Sequence, residues 1–266
     1  MNQTTVFWHK ASALTLLMFG VAAHAVGLPD TGQSVCYNDT VADGVAASDP
    51  SSISRDGGTH PRQDCRYGRD AAVAAGATTV KAGAGSKGFD YTKVANDGST
   101  LDASAAIGAN PTDWACTQDN ITGLMWEVKS DSGLRDQLAT YSWYSSNATT
   151  NGGNAGTASG SGNCSGGSGC DTEKFVADVN SANLCSFGDW RIPTKRELQT
   201  LVSLTSYPPS VDSTYFLRTM SGGYWSSTTL VSVPAQAWVI YFTTGGTGSL
   251  AKSSFTYLRL VRGGPF

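Results

Sequence analysis

Six cysteines, at 36, 65, 116, 164, 170 and 185, restrict what this 266-residue chain can fold into more than any other feature. All six follow a segment that reads as an export signal. In Met1–Ala25, Lys10 supplies a positive n-region, Ala11 to Ala23 is a nearly uninterrupted apolar stretch, and Ala23-His24-Ala25 is a small-x-small cleavage pattern. The apolar stretch is too short for a bilayer span, and no basic stop-transfer cluster follows it. The expectation is cleavage after Ala25 and a mature chain from Val26 to Phe266. That chain is exported to the periplasm, the cell surface or the medium, with no membrane span of its own. An even cysteine count in such an oxidising compartment means disulfides.

Six cysteines leave many connectivities open. Loop closure favours Cys164 with Cys170, which bracket a short Ser/Gly loop. Cys36 with Cys65 then staples the N-terminal region, and Cys116 with Cys185 ties the core. No Cys-x-x-Cys occurs, so zinc-ribbon and redox-motif readings lose their spacing. Removing the signal also removes His9 and His24 and leaves His60 as the last histidine. One histidine builds no multi-His metal site, and no G-x-S-x-G elbow, P-loop or dinucleotide fingerprint stands beside it. The expectation is therefore no metal, no cofactor and no enzymatic activity. Carboxylate chemistry rests only on scattered residues such as Asp189, Glu197 and Asp212.

Charged residues make up 15% of the chain, and the formal charge of −3 becomes −4 when Lys10 is lost. A mildly acidic balance argues against nucleic acid, whose affinity comes from Lys and Arg at phosphates. A hydrophobic share of 40% with 10% aromatics suffices for a core, while 31 glycines point to many loops.

Residues 26–111 are rich in Ala, Gly, Ser and Asp and read as an N-terminal extension packing on the core. Val35 to Tyr37 and Phe89 to Val94 are its candidate strands. The main domain, 112–266, opens with a buried strand over Leu124–Val128. A Ser/Gly/Asn/Thr-rich stretch, 145–170, then reads as a flexible surface insertion. The spacing of Phe175, Val176 and Val179 predicts a helix over Thr172–Asn183, capped by Asp171 or Thr172. A second helix begins at Pro193, with Thr194 and Glu197 as a capping box. Leu198, Leu201 and Val202 form its core stripe, and Tyr207-Pro208-Pro209 stops it. Tyr224–Thr228, Ala237–Phe242 and Tyr257–Arg262 read as strands, with a turn over Thr243–Gly248. Two helices ahead of a mainly antiparallel twisted sheet make an α+β domain.

Several of these strings stand in a telling order: Thr122-Gly123-Leu124-Met125-Trp126-Glu127, Asp189-Trp190-Arg191-Ile192-Pro193-Thr194 with Glu197-Leu198, Tyr224-Trp225-Ser226-Ser227-Thr228, Ala237-Trp238, and Arg259-Leu260-Val261-Arg262-Gly263-Gly264. Over about residues 112–264 the chain resembles the Lcl C-terminal domain family, a domain of unknown function. Gln63-Asp64 and Tyr67-Gly68-Arg69-Asp70 are similar to the N-terminal extension of one branch of it. More distantly, the skeleton is similar to C-type-lectin-like and formylglycine-generating-enzyme-like domains. The resemblance implies a C-type-lectin-like fold, and adhesion or carbohydrate recognition. It does not carry over the enzyme's late cysteines, since none follows Cys185, nor the Glu-Pro-Asn or Gln-Pro-Asp motifs of calcium-dependent lectins.

Most motif residues read as structural core: Trp126, Trp190, Trp225 and Trp238 by their size, Arg191 as an ion-pair partner of Glu127 or Glu197, and Arg259 and Arg262 on opposite faces of one strand. Tyr141, Trp143 and Tyr144, just before the Ser/Gly insertion, are the candidate exposed ligand surface. The expected function is an exported, non-enzymatic adhesion or binding protein for a glycan or a surface protein. The alternative is a structural subunit of a surface or pilus-like assembly, which would form homo-oligomers.

Overall fold

A computed structural model describes residues 31, 35–37, 42–46, 64, 68–69, 81–164, 169–206 and 208–264. Every strand ladder in it is antiparallel. β1 (Val35–Tyr37) and β2 (Ala42–Ala46) form a two-stranded ribbon. A five-stranded sheet contains β3 (Tyr91–Ala95), β4 (Thr100–Leu101), β5 (Trp114–Asp119), β6 (Met125–Glu127) and, from the far end of the chain, β10 (Val261–Arg262), in the order β10-β6-β5-β3-β4. A three-stranded meander joins β7 (Gly223–Thr229), β8 (Gln236–Tyr241) and β9 (Gly246–Ala251) in sequence order. Two helices, α1 (Thr172–Ser181) and α2 (Lys195–Gln199), lie between the sheets in sequence. The fold is thus α+β, and among the described residues no helix is long and apolar enough to cross a membrane.

The five-stranded sheet runs across the expected boundary at 111/112. β3 pairs with β5 from Tyr91↔Asp119 to Ala95↔Trp114, so residues 81–111 supply two strands of the central sheet. β5 has no alternating signature because both of its faces are covered: Trp114, Ala115, Cys116, Thr117 and Asp119 are all buried. Two apolar clusters fill the interior. One gathers Tyr141, Trp143, Phe175, Trp190 and Trp225 around the Cys116–Cys185 disulfide. The other gathers Tyr91, Trp126, Phe216, Tyr224 and Phe242. The second bridge, Cys164–Cys170, is also formed, while Cys65 of the expected Cys36–Cys65 pair lies outside the described residues, as does the signal segment.

Both helices begin at strong caps. Asp171 accepts from the Lys174 N–H at 2.9 Å. Thr194 and Glu197 form the reciprocal box, with Thr194 N–H to Glu197 Oε2 at 2.8 Å and Glu197 N–H to Thr194 Oγ1 at 3.2 Å. Both helices end earlier than the apolar stripes predict. α1 stops at Ser181, and Asn183 turns left-handed into the 3₁₀ turn Leu184–Ser186. α2 is only five residues long: the Thr200 hydroxyl donates to the Glu197 carbonyl at 2.7 Å, and the Ser203 N–H turns out to the Ser210 carbonyl at 3.1 Å.

The C-terminal strand is shorter than its alternation predicts. The Thr256 and Tyr257 carbonyls accept from Tyr141 and Trp225, and the Leu260 N–H donates to Glu127 Oε2, so residues 256–260 bridge several elements. Leu258, Arg259 and Leu260 are all buried, which removes the two-faced pattern. The segment read as a turn from Thr243 already enters β9 at Gly246. Trp238, read as core, is half-exposed. Its neighbours Ala237 and Val239 take the inner face of β8, and its ring lies under Lys195 Nζ at 3.6 Å.

Candidate functional site

A cleft of about 780 Å³ opens between the 143–150 segment, the start of α1, the Arg191–Glu197 stretch and the outer half of β7. The chain reaches it with strand-like alternation. The Tyr141 N–H donates to the Thr256 carbonyl and the Trp143 N–H to the Lys252 carbonyl, both at 2.9 Å, which turns both side chains inward. Tyr141 packs on Phe175 with ring centroids 4.7 Å apart, and the Trp143 indole N–H donates to the Ser226 carbonyl at 2.9 Å. Of the three aromatics expected at the surface, Tyr141 and Trp143 are therefore buried, with 2% and 1% of their surface exposed. Tyr144 alone is half-exposed, and it lines the cleft. Its backbone is fixed in both directions by Thr172 Oγ1, which accepts from the Tyr144 N–H at 3.0 Å and donates to its carbonyl at 2.8 Å.

The segment 145–164 makes a dense set of local contacts. Asn147, Asn151 and Asn154 each turn a side-chain oxygen onto a backbone N–H two residues ahead. The carbonyls of Asn151 and Asn154 accept from Lys252 Nζ at 2.8 and 2.6 Å. This ammonium, 2% exposed at the residue level, also sits 3.8 Å above the Trp143 ring. Burial without a carboxylate partner pulls Lys252 down to about 8. Asn147 and Thr150 line the cleft from this segment.

Opposite them stands the Arg191–Glu197 pair. Two guanidinium N–H groups reach the two carboxylate oxygens at 2.8 and 2.6 Å. Glu197 is fully buried, whereas Arg191 is half-exposed. Burial pushes the Glu197 carboxyl upward, but the Arg191 bonds and the Thr194 N–H outweigh it and leave it below its usual range. Glu173 Oε2 is held by the N–H and hydroxyl of Ser146 at 2.7 and 3.0 Å. Ser227 and Thr228 add hydroxyls, and Val176 and Ile192 add apolar surface.

The remaining motif residues lie apart from the cleft. Trp126, Trp190 and Trp225 are buried. Arg259 is buried against Thr219 Oγ1 at 2.8 Å. Arg262, read as core, is half-buried: it pairs with Asp189 at 2.7 Å and covers the Phe187 ring at 3.5 Å. Of the three scattered carboxylates, Glu197 alone lines the cleft. Asp189 is held by Arg262, and Asp212 by the N–H groups of Ser86 and Thr214. Among the described residues no group of three or more His, Cys, Asp or Glu is placed to hold a metal ion. Asn147, Thr150 and Glu173 are among the lining residues the sequence reading missed. They stand in or beside a low-complexity stretch, where composition hides individual polar side chains.

None of the curated proteins matches the chain. The family model for the Lcl C-terminal domain matches residues 115–262, which takes in β5 from Ala115 onward, β6 to β10, both helices and every side chain of the cleft named above. On that match the chain belongs to the Lcl C-terminal domain family.

Proposed function

We propose that this is an exported, non-enzymatic binding protein of C-type-lectin-like type, and that the cleft beside Tyr144 recognises a neutral glycan. The observation that carries this reading is the combination of one half-exposed tyrosine ring with amide, hydroxyl and carboxylate groups around a single cleft. A sugar presents an apolar ring face and a rim of hydroxyls. It needs a stacking surface plus fixed donors and acceptors. Both carboxylates of the cleft are already engaged, Glu197 by Arg191 and Glu173 by Ser146. That suits hydrogen-bond acceptors better than a general acid and base. The two disulfides are compatible with an oxidising destination.

A neutral ligand also suits the charge. A chain of formal charge −3 attracts a polyanion only through local clusters, and the arginine of this cleft is neutralised in place. The test is a glycan array probed with the oxidised mature protein, with and without a calcium chelator. Selective binding that survives chelation supports the reading. A blank array from folded protein overturns it and turns attention to protein partners or to an assembly subunit.

A further inference from the structure

A second cavity, of about 680 Å³, lies away from the Tyr144 cleft, where residues 96–111 meet the C-terminal end of α1. Its wall is built with care. Asn96 Nδ2 donates to the carbonyls of Gly108, Asn110 and Asp113 at 3.2, 2.9 and 3.2 Å, which fixes the loop closing one side. That loop precedes the part of the chain matched by the family model, so the cavity is completed by this chain's own N-terminal segment.

Backbone strain collects here. Of the six described non-glycine residues with positive φ, three line this cavity: Asn183 at 52°, Cys185 at 54° and Arg218 at 62°. Left-handed backbone is ordinary for Asn183, which stops α1, but unfavourable for Cys185 and Arg218. At Arg218 that backbone carries a guanidinium to the cavity lining, where it pairs with Asp131.

The formal charges of the lining balance, so an anion depends on freeing one arginine. Arg135 and Arg218 line the cavity together with Asp97 and Asp131. Asp97 Oδ1 is occupied by the N–H and hydroxyl of Ser99. The Asp131 side chain is 62% exposed, so water weakens its hold on Arg218. The buried Glu127 carboxylate interacts electrostatically with Lys129, Arg135 and Arg259. Lys129 Nζ is 2.8 Å from it, Arg259 is buried with Nε and Nη1 lacking hydrogen-bond partners among the described residues, and Arg135 donates to the carbonyls of Ala115 and Val128. Apolar surface from Leu134, Val179 and Leu184 lines the same cavity.

We propose that this cavity binds an amphipathic monocarboxylate: its carboxylate sits on Arg218, its apolar body lies on Leu134, Val179 and Leu184, and it displaces Asp131 on entry. The Arg218–Asp131 pair then acts as the latch of the empty site. A free organic acid and the C-terminal residue of a peptide offer the same chemistry, and the probes separate them.

The test is calorimetric titration of the purified oxidised protein with N-acetyl-leucine and with acetyl-Ala-Ala-Leu, each as free acid and as amide. The acid is expected to bind at least about tenfold more tightly than its amide, since a guanidinium–carboxylate pair is lost in the amide. Tighter binding by the tripeptide assigns the source to a chain terminus, and tighter binding by N-acetyl-leucine to a free acid. Arg218→Gln is expected to remove the preference for acid. Asp131→Asn is expected to tighten binding about threefold, because it frees the guanidinium from an exposed pair. The two substitutions therefore read in opposite directions, and the second does so even where the first lowers thermal stability. Equal affinity for acid and amide, no binding of either acid, or weaker binding by Asp131→Asn would overturn the proposal.

Discussion

At the scale of single residues, this chain uses its few cations as clamps. Lys93 Nζ donates to the Ala105 carbonyl at 2.7 Å while lying 3.9 Å from the Trp114 ring centroid. Lys252 does the same between Trp143 and the carbonyls of Asn151 and Asn154. Each pins a polar loop to an aromatic core; Asp102 lends Lys93 electrostatic support, whereas Lys252 has no such carboxylate and the cost shows in its lowered protonation range. The sign of its pH effect follows from linkage. The unfolded lysine keeps its proton up to its ordinary range, while the folded one loses it near 8. Between those limits the unfolded state binds more protons, so stability rises with pH. Wild-type protein is expected to gain up to about 3 kcal/mol over Lys252→Met between pH 8 and 10.5, read by urea unfolding at a series of pH values. A flat difference across that window would contradict the account of Lys252. Glu197 behaves oppositely, because its carboxyl is held down. Its contribution is present above the ordinary carboxylate range and is lost as pH falls through its lowered folded value. Glu197→Ala leaves Arg191 unpaired and opens the capping box, and a loss of about 2–4 kcal/mol is expected in the same assay.

At the scale of elements, the two described disulfides close loops of very different length, 69 and 6 residues. The chain-entropy model assigns about 4 kcal/mol to the longer and about 2 kcal/mol to the shorter. The double substitution Cys116→Ala/Cys185→Ala is therefore expected to lower the melting temperature roughly twice as far as Cys164→Ala/Cys170→Ala. Equal losses would mean that the long bridge does not tie the core. Both pairings were legible in the sequence, Cys164–Cys170 from its short loop and Cys116–Cys185 as the pair left for the core. The caps of both helices were legible because each depends on a few residues at short spacing. Helix length was less legible: Leu198 and Leu201 are buried as a helical stripe demands, yet Thr200 and Ser203 end the helix between and after them. β5 was invisible because an interior strand buried on both faces shows no alternation. The Ser/Gly-rich stretch hid its own contacts, since Asx turns and carbonyls accepting from Lys252 leave no apolar signature. The aromatic triplet was half legible. Composition marked Tyr141, Trp143 and Tyr144, and only the ladder to Lys252 and Thr256 decides which rings turn inward.

At the scale of the whole molecule, the family domain is completed by what precedes it. β3 and β4 extend the central sheet beyond the matched residues 115–262. A chain beginning at residue 112 would expose β5 as an apolar edge strand. Such a truncation is expected to aggregate, whereas one beginning at residue 81 keeps the sheet intact and stays monodisperse on size-exclusion chromatography. The same architecture sets the proposed binding cleft at the junction of α1, α2 and β7, with Tyr144 as the half-exposed aromatic residue of its lining. The most direct test of that assignment is the affinity of Tyr144→Ala, against wild type, for whichever neutral glycan the array identifies. A loss of at least about tenfold is expected, in line with removal of an aromatic stacking surface, with the melting temperature held within a few degrees. Unchanged affinity in a folded Tyr144→Ala protein would contradict that assignment and place the glycan elsewhere on the molecule.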